Sequence, residues 1–147
     1  MEGYETILVP LDGSAVAEAI LPEVEKLAAA FHSRISLLRV AYAHTIPGVD
    51  PTEAQVAVVE EAESYLQEIA ERLKEKGFSV DTHVRYGDGA EEILDHAMHN
   101  DIDLVAMSTH GRSGVKRWVL GSVAEKVLRH SAKPIFLVRA PSPVQEG

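Results

Sequence analysis

Thr6-Ile7-Leu8-Val9-Pro10-Leu11-Asp12-Gly13-Ser14 begins as a short apolar run and turns small and polar within its last three residues. A run that is apolar on both faces suits a strand covered on two sides, the situation of a parallel sheet with helices above and below it. Moving outward, Ile35 to Val40, Leu104 to Met107 and Ile135 to Val138 are runs of the same kind. Phe78 to Arg85 differs, because it alternates, with Val80, Thr82 and Val84 on one face and polar residues on the other. That pattern predicts an edge strand, and the total becomes five.

Helical patterns fill the gaps. Ile20, Val24, Leu27 and Phe31 recur at spacings of four, three and four, and Val59, Ala62, Leu66, Ile69 and Leu73 form a second stripe of the same period. Each stripe supplies one apolar face to lay on a sheet. Asp50-Pro51-Thr52-Glu53, Asp88-Gly89-Ala90-Glu91 and Ser122-Val123-Ala124-Glu125 each place a capping residue three positions before a glutamate, which predicts helix starts at Asp50, Asp88 and Ser122. Gly77 supplies the left-handed residue that ends the second helix. The order β-α-β-α-β-α-β-α-β predicts a doubly wound, Rossmann-like α/β fold with five parallel strands and four helices. No linker interrupts it, so residues 1–140 are expected to form one domain. Ala43 to Pro51 reads as a surface loop and residues 141–147 as a flexible tail.

The 147 residues are 46% apolar, 25% charged and 5% aromatic, with no cysteine and a net charge of −9. Such a chain buries a full core without disulfides, and its composition excludes collagenous and disordered classes. Its apolar runs stop far short of the ~18 residues of a membrane span. Met1-Glu2-Gly3-Tyr4-Glu5 lacks the basic opening of a signal peptide, so the expected location is the cytoplasm. The charge is unevenly spread. Residues 110–139 carry Arg112, Lys116, Arg117, Lys126, Arg129, Lys133 and Arg139 against Glu125 alone, a net of +6, whereas residues 1–109 carry −14. The overall field repels nucleic acid while the last third remains able to hold a small anion.

In an open α/β sheet, ligands bind beyond the carboxyl ends of the strands where strand order reverses. The first strand ends in Pro10-Leu11-Asp12-Gly13-Ser14 and the fourth in Met107-Ser108-Thr109-His110-Gly111-Arg112-Ser113-Gly114, which leads on to Gly121-Ser122 at a helix start. Glycines admit an anion close to backbone N–H groups, and a helix N-terminus adds unpaired donors and a positive dipole end. Glycine-rich turns without ligands are common, and composition alone leaves the phosphate and the plain-turn readings level. Asp12, taken alone, reads as a turn or helix cap. His96 and His99, three apart with Asp101 and Asp103 nearby, suggest a metal site, although a solvent-facing His99 near a helix C-terminus is the simpler reading. His110 is a donor or weak acid/base beside the phosphate loop, and no nucleophile or second carboxylate accompanies it. No Gly-x4-Gly-Lys-Ser/Thr occurs, and Gly87-Asp88-Gly89 is only a fragment of a dinucleotide fingerprint. A phospho-acceptor receiver domain is set aside, since Asp12 stands alone and Met107-Ser108-Thr109 has no carboxylate.

Gly111, nine intervening residues and Gly121-Ser122 match the second and third elements of the Gly-x2-Gly-x9-Gly-Ser/Thr motif, and Ser108 replaces its first glycine. With Ile7 to Ser14, Leu37-Leu38-Arg39-Val40 and Lys133 to Val138, the sequence resembles the nucleotide-binding branch of the universal stress protein family over nearly its whole length. That resemblance implies strand order 3-2-1-4-5 and a bound ATP with Mg2+ or Mn2+. It implies that Pro10 lines the adenine pocket, Asp12 meets the ribose hydroxyls, Val40 presents its backbone and side chain to the base, and Gly111, Gly121 and Ser122 cradle the phosphates. Ser108 either crowds the nucleotide or adds a hydroxyl donor, and its small size favours tolerance. The resemblance further implies a regulatory stress-response protein with at most slow hydrolysis, a homodimer paired through the fifth strand and a further protein partner. The alternative is a relative that has lost the nucleotide and serves only as an interaction module.

Overall fold

Residues 3–43, 47–110 and 121–140 are described by the structure, a computed structural model. Its strands are β1 (Thr6–Pro10), β2 (Arg34–Ala41), β3 (Ser79–Tyr86), β4 (Leu104–Ser108) and β5 (Ile135–Val138). All pair in parallel, in the order β3-β2-β1-β4-β5. The chain lays β2 and β3 on one side of β1, then crosses to add β4 and β5 on the other. Ile7 consequently sits opposite Ile35 on one flank and Leu104 on the other.

Four helices cover the sheet: α1 (Leu21–Phe31), entered through a 3-10 turn at Ala17–Ile20, α2 (Pro51–Glu75), α3 (Gly89–His99) and α4 (Ser122–His130). The period-two alternation of the strands divides the core into two layers. Ile7, Val9, Ile35, Leu37 and Ala106 pack with Val24 of α1 and with Leu66 and Ile69 of α2. Leu8, Leu38, Val105 and Met107 pack with Ile93 of α3 and Val127 of α4. Ile7, Leu8, Val9, Ile35, Leu37 and Leu38 are fully buried, and each such side chain contributes about 1.5–3 kcal/mol relative to exposure. Leaving both faces of the central strands apolar is therefore what the double cover requires.

The helix boundaries follow the expected signals in all but one place. Asp50 accepts the Thr52 N–H at 2.9 Å and Asp88 accepts the Glu91 N–H at 3.1 Å, each as a side-chain cap. Gly77 has φ 99°, and the bonds from Gly77 N–H to the Lys74 carbonyl and from Phe78 N–H to the Leu73 carbonyl close the end of α2. Ser122 is not a cap. Gly121, extended at φ −66° and ψ 158°, holds that position without any side-chain bond, and its carbonyl accepts the Glu125 N–H. Ser122 is thus the first helical residue. The loop expected at Ala43 to Pro51 is described except at residues 44–46, and the tail 141–147 lies outside the described residues.

Candidate functional site

A cavity of about 360 Å³ opens beyond the carboxyl ends of β1, β2 and β4, where strand order reverses. Pro10, Asp12, Val40, Ser108, His110, Gly121 and Ser122 all line it. Gly111, with the loop through Leu120, lies outside the described residues. Residues from four separate parts of the sequence thus meet at one place. A second and larger cavity of about 650 Å³ lies at the opposite end of the sheet, among Thr6, Arg34, Asp103 and Lys133. It faces the amino ends of the strands, where this fold class does not place its ligands.

The first cavity has an apolar wall and a polar end. Leu38, Val40, Ile93 and Met107 form the wall, a surface suited to the face of a flat heterocycle. Of these only Val40 is singled out by the sequence, yet Leu38 and Val40 are two apart on β2 and so share a face. Ile93 and Met107 come from α3 and β4, and only the folded register brings them alongside.

At the polar end, two helices point their N-termini at the cavity. Gly89 opens α3 and Gly121 precedes α4, and a Cβ built on Gly89 would come within 3.6 Å of the Val123 side chain. Among the described residues no side chain caps the α4 terminus, and the first-turn N–H groups of a helix have no partners inside it. Gly121 N–H donates to the Thr109 carbonyl at 2.8 Å, which ties the beginning of α4 to the end of β4. The two ends of the intervening loop are thereby held together at the cavity.

Asp12 fulfils its plain reading and also lines the cavity. Its Oδ1 accepts the Ser14 N–H at 3.0 Å and the Ser14 hydroxyl at 2.6 Å. Ser108 Oγ lies 3.1 Å from both the Val16 and the Ala17 carbonyl oxygens and donates to them. Its single proton is committed there, so the expected extra donor for a ligand is not supplied by this hydroxyl. Thr109 Oγ1 accepts the Ala140 N–H at 3.1 Å and stands 3.1 Å from His110 Nδ1. When Thr109 donates to Nδ1, the histidine proton resides on Nε2, which is buried and has no hydrogen-bond partner among the described residues. A ligand oxygen would satisfy it.

His96 and His99 lie in different surroundings. His99 is exposed, with Nδ1 3.1 Å from Asp95 Oδ1, whereas His96 is buried with its ring centre 4.8 Å from that of His83. Burial first, and then the neighbouring His83 and Arg85, push the His96 pKa down. Among the described residues no three or more His or carboxylate groups come together to hold a metal ion. Nor is any helix among them long and apolar enough to cross a membrane.

Comparison with known proteins places this arrangement among relatives. A protein of Methanothermobacter thermautotrophicus described as a universal stress protein is 33% identical, with 95% of this chain and 98% of that protein covered. The structure of MJ0577 from Methanocaldococcus jannaschii superposes with a TM-score of 0.85 at 31% identity, covering 95% of this chain and 98% of that one. A universal stress protein family protein of Arabidopsis thaliana with AMP bound shares the fold at a TM-score of 0.71 and 15% identity, with 96% and 97% covered. Residues 3–139 match the model of the universal stress protein family, and the chain belongs to that family.

Proposed function

We propose that the cavity at the carboxyl end of the sheet binds an adenine nucleotide, ATP foremost, and that the protein is a nucleotide-dependent regulator of the ATP-binding branch of its family. The observation that carries this reading is the convergence of an apolar wall, a carboxylate and a glycine-headed helix N-terminus on one cavity. The base lies along Val40 and Leu38 beside Pro10, the ribose hydroxyls donate to Asp12, and the phosphates meet the α4 terminus at Gly121 and Ser122, with Gly111, outside the described residues, as the third member of the proposed cradle. His110 Nε2–H donates to a phosphate oxygen. That the related fold from Arabidopsis thaliana has AMP bound is a precedent for the ligand class.

A Mg2+ or Mn2+ ion fits this donor set only as a companion of the phosphates. Asp12 is the one carboxylate among the described lining residues, and a magnesium ion commonly keeps several waters while binding phosphate oxygens and one or two protein groups. The Ser122 hydroxyl would serve as such a group. The ion would neutralise phosphate charge.

We further propose a cytoplasmic homodimer joined along β5, which presents its nucleotide state to a protein partner. Replacement of the motif's first glycine by Ser108 favours a second reading, an interaction module without nucleotide. Calorimetric titration with Mg-ATP separates the two: the first expects saturable heat at one nucleotide per chain, and no heat at millimolar ligand selects the second.

A further inference from the structure

Ser108 stands where the family motif has glycine, and its hydroxyl heads a chain of hydrogen bonds that ends on Asp12. Ser108 Oγ shares its proton between the Val16 and Ala17 carbonyls, each at 3.1 Å, and the Val16 branch continues the chain. The Val16 carbonyl belongs to the same peptide unit as the Ala17 N–H, which donates to Ser14 Oγ at 3.1 Å. Ser14 Oγ in turn donates to Asp12 Oδ1 at 2.6 Å. Every proton in the series points the same way, toward the carboxylate. Hydrogen bonds aligned in this sense polarise one another, and a partly buried setting strengthens the effect. The turn is held from its other side as well, because Tyr65 OH donates to Glu18 at 2.5 Å.

We propose that Ser108 is a positioning residue for Asp12, holding the turn from Asp12 to Ala17 so that the carboxylate is set for a diol, the ribose of a nucleotide. This deepens, and rests on, the nucleotide reading given above. The departure from the motif then becomes a device for recognition of the sugar. A glycine at this position leaves the Val16 carbonyl without its donor from β4. Because the serine proton is spent on the turn, the phosphates gain nothing from it directly.

The contrast to measure is between ATP and 2′,3′-dideoxy-ATP, which offers no hydroxyl for Asp12 to accept. Ser108→Ala is expected to weaken ATP by about three- to tenfold, the range of one net hydrogen bond, and to leave the affinity for the dideoxy analogue unchanged. Ser108→Gly is expected to behave as the alanine variant does. Equal losses for both ligands, or no loss for either, would overturn the proposal, and so would a gain in ATP affinity in the glycine variant. Amide hydrogen exchange in the ligand-free protein supplies a readout that does not depend on nucleotide. Faster exchange at Ala17 and Ser14 in Ser108→Ala, with β1 unaffected, supports the chain, and unchanged exchange at both refutes it. Wild-type protein that binds neither nucleotide refutes the nucleotide reading and the ribose role together, while the exchange result still decides whether Ser108 sets the turn.

Discussion

His96 shows how a single side chain can link acidity to stability. It is buried on α3 against His83 of β3, and its Nε2 has no partner among the described residues. An unsatisfied buried polar atom costs about 1–3 kcal/mol, so a proton placed on this ring has nothing to receive it. Arg85, bonded to Glu92 at 2.7 Å and to Asp95 at 2.5 Å, adds positive charge nearby, against which Asp81 and Asp95 pull in the opposite direction. Burial dominates and the folded-state pKa lies below 6.5. The unfolded chain therefore binds more protons than the folded one as the pH falls through that value, and stability declines with acidification. Urea melts at pH 7.5 and 5.5 should show the midpoint falling at the lower pH, by less in His96→Leu than in the wild type. An equal fall in both would assign the effect to other groups. Asp81 acts at lower pH: its burial is outweighed by hydrogen bonds from Ser36 and Arg34 and by His83, which hold its carboxyl below the usual range. Its contribution is lost only as the pH falls through the carboxylate region.

Among the elements, α1 ends in a way the sequence does not announce. His32 caps it in the left-handed conformation, at φ 57° and ψ 44°, where a Cβ meets the following carbonyl at a cost of about 1–2 kcal/mol. Glycine avoids that contact but has more unfolded-state entropy to lose. His32→Gly is expected to raise stability by about 0.5–1 kcal/mol, and a thermal or urea melt with an unchanged or lowered midpoint would contradict it. Gly77, the equivalent residue of α2, was legible because glycine is the usual left-handed cap; histidine at that position carries no such signal. Ser122 went astray for a related reason. Glycine is nearly as acceptable at an N-cap as serine, so Gly121 takes the position even though Ala124, not a glutamate, then stands third in the helix. The strands were easier to read, since a double cover leaves apolar runs with little ambiguity. The cavity was half legible: Pro10, Asp12, Val40, Ser108, His110, Gly121 and Ser122 carry motif or loop chemistry, whereas Leu38, Ile93 and Met107 resemble any core residue until the register places them. The bonds by which Ser14 and Ser108 address Asp12 depend on rotamers and a 3-10 turn that no spacing encodes.

For the molecule as a whole, the two sheet edges differ. β3 is covered on one face by α2 and carries the polar row Asp81, His83 and Arg85 on the other, with ion pairs to Arg34 and to α3. β5 is four residues, all apolar and all only half-buried, paired with β4 alone among the described residues. An apolar edge of that kind invites a second copy. Light scattering at micromolar concentration should give twice the chain mass of 16.0 kDa, and a monomer mass would remove the β5 dimer from the account. Charge at this scale also has a local meaning: a chain at −9 overall gathers seven of its fourteen basic side chains in residues 110–139, the part that contains the polar end of the cavity. The central claim is that this end, at Gly121, seats the phosphates of a nucleotide whose base lies on the wall at Val40. Titration calorimetry with Mg-ATP, on the wild type and on Gly121→Val with native circular dichroism, tests it most directly. Saturable one-to-one binding by the wild type with at least a tenfold loss in the variant is the predicted result; undiminished affinity in Gly121→Val, or no heat from the wild type at millimolar ATP, would contradict it.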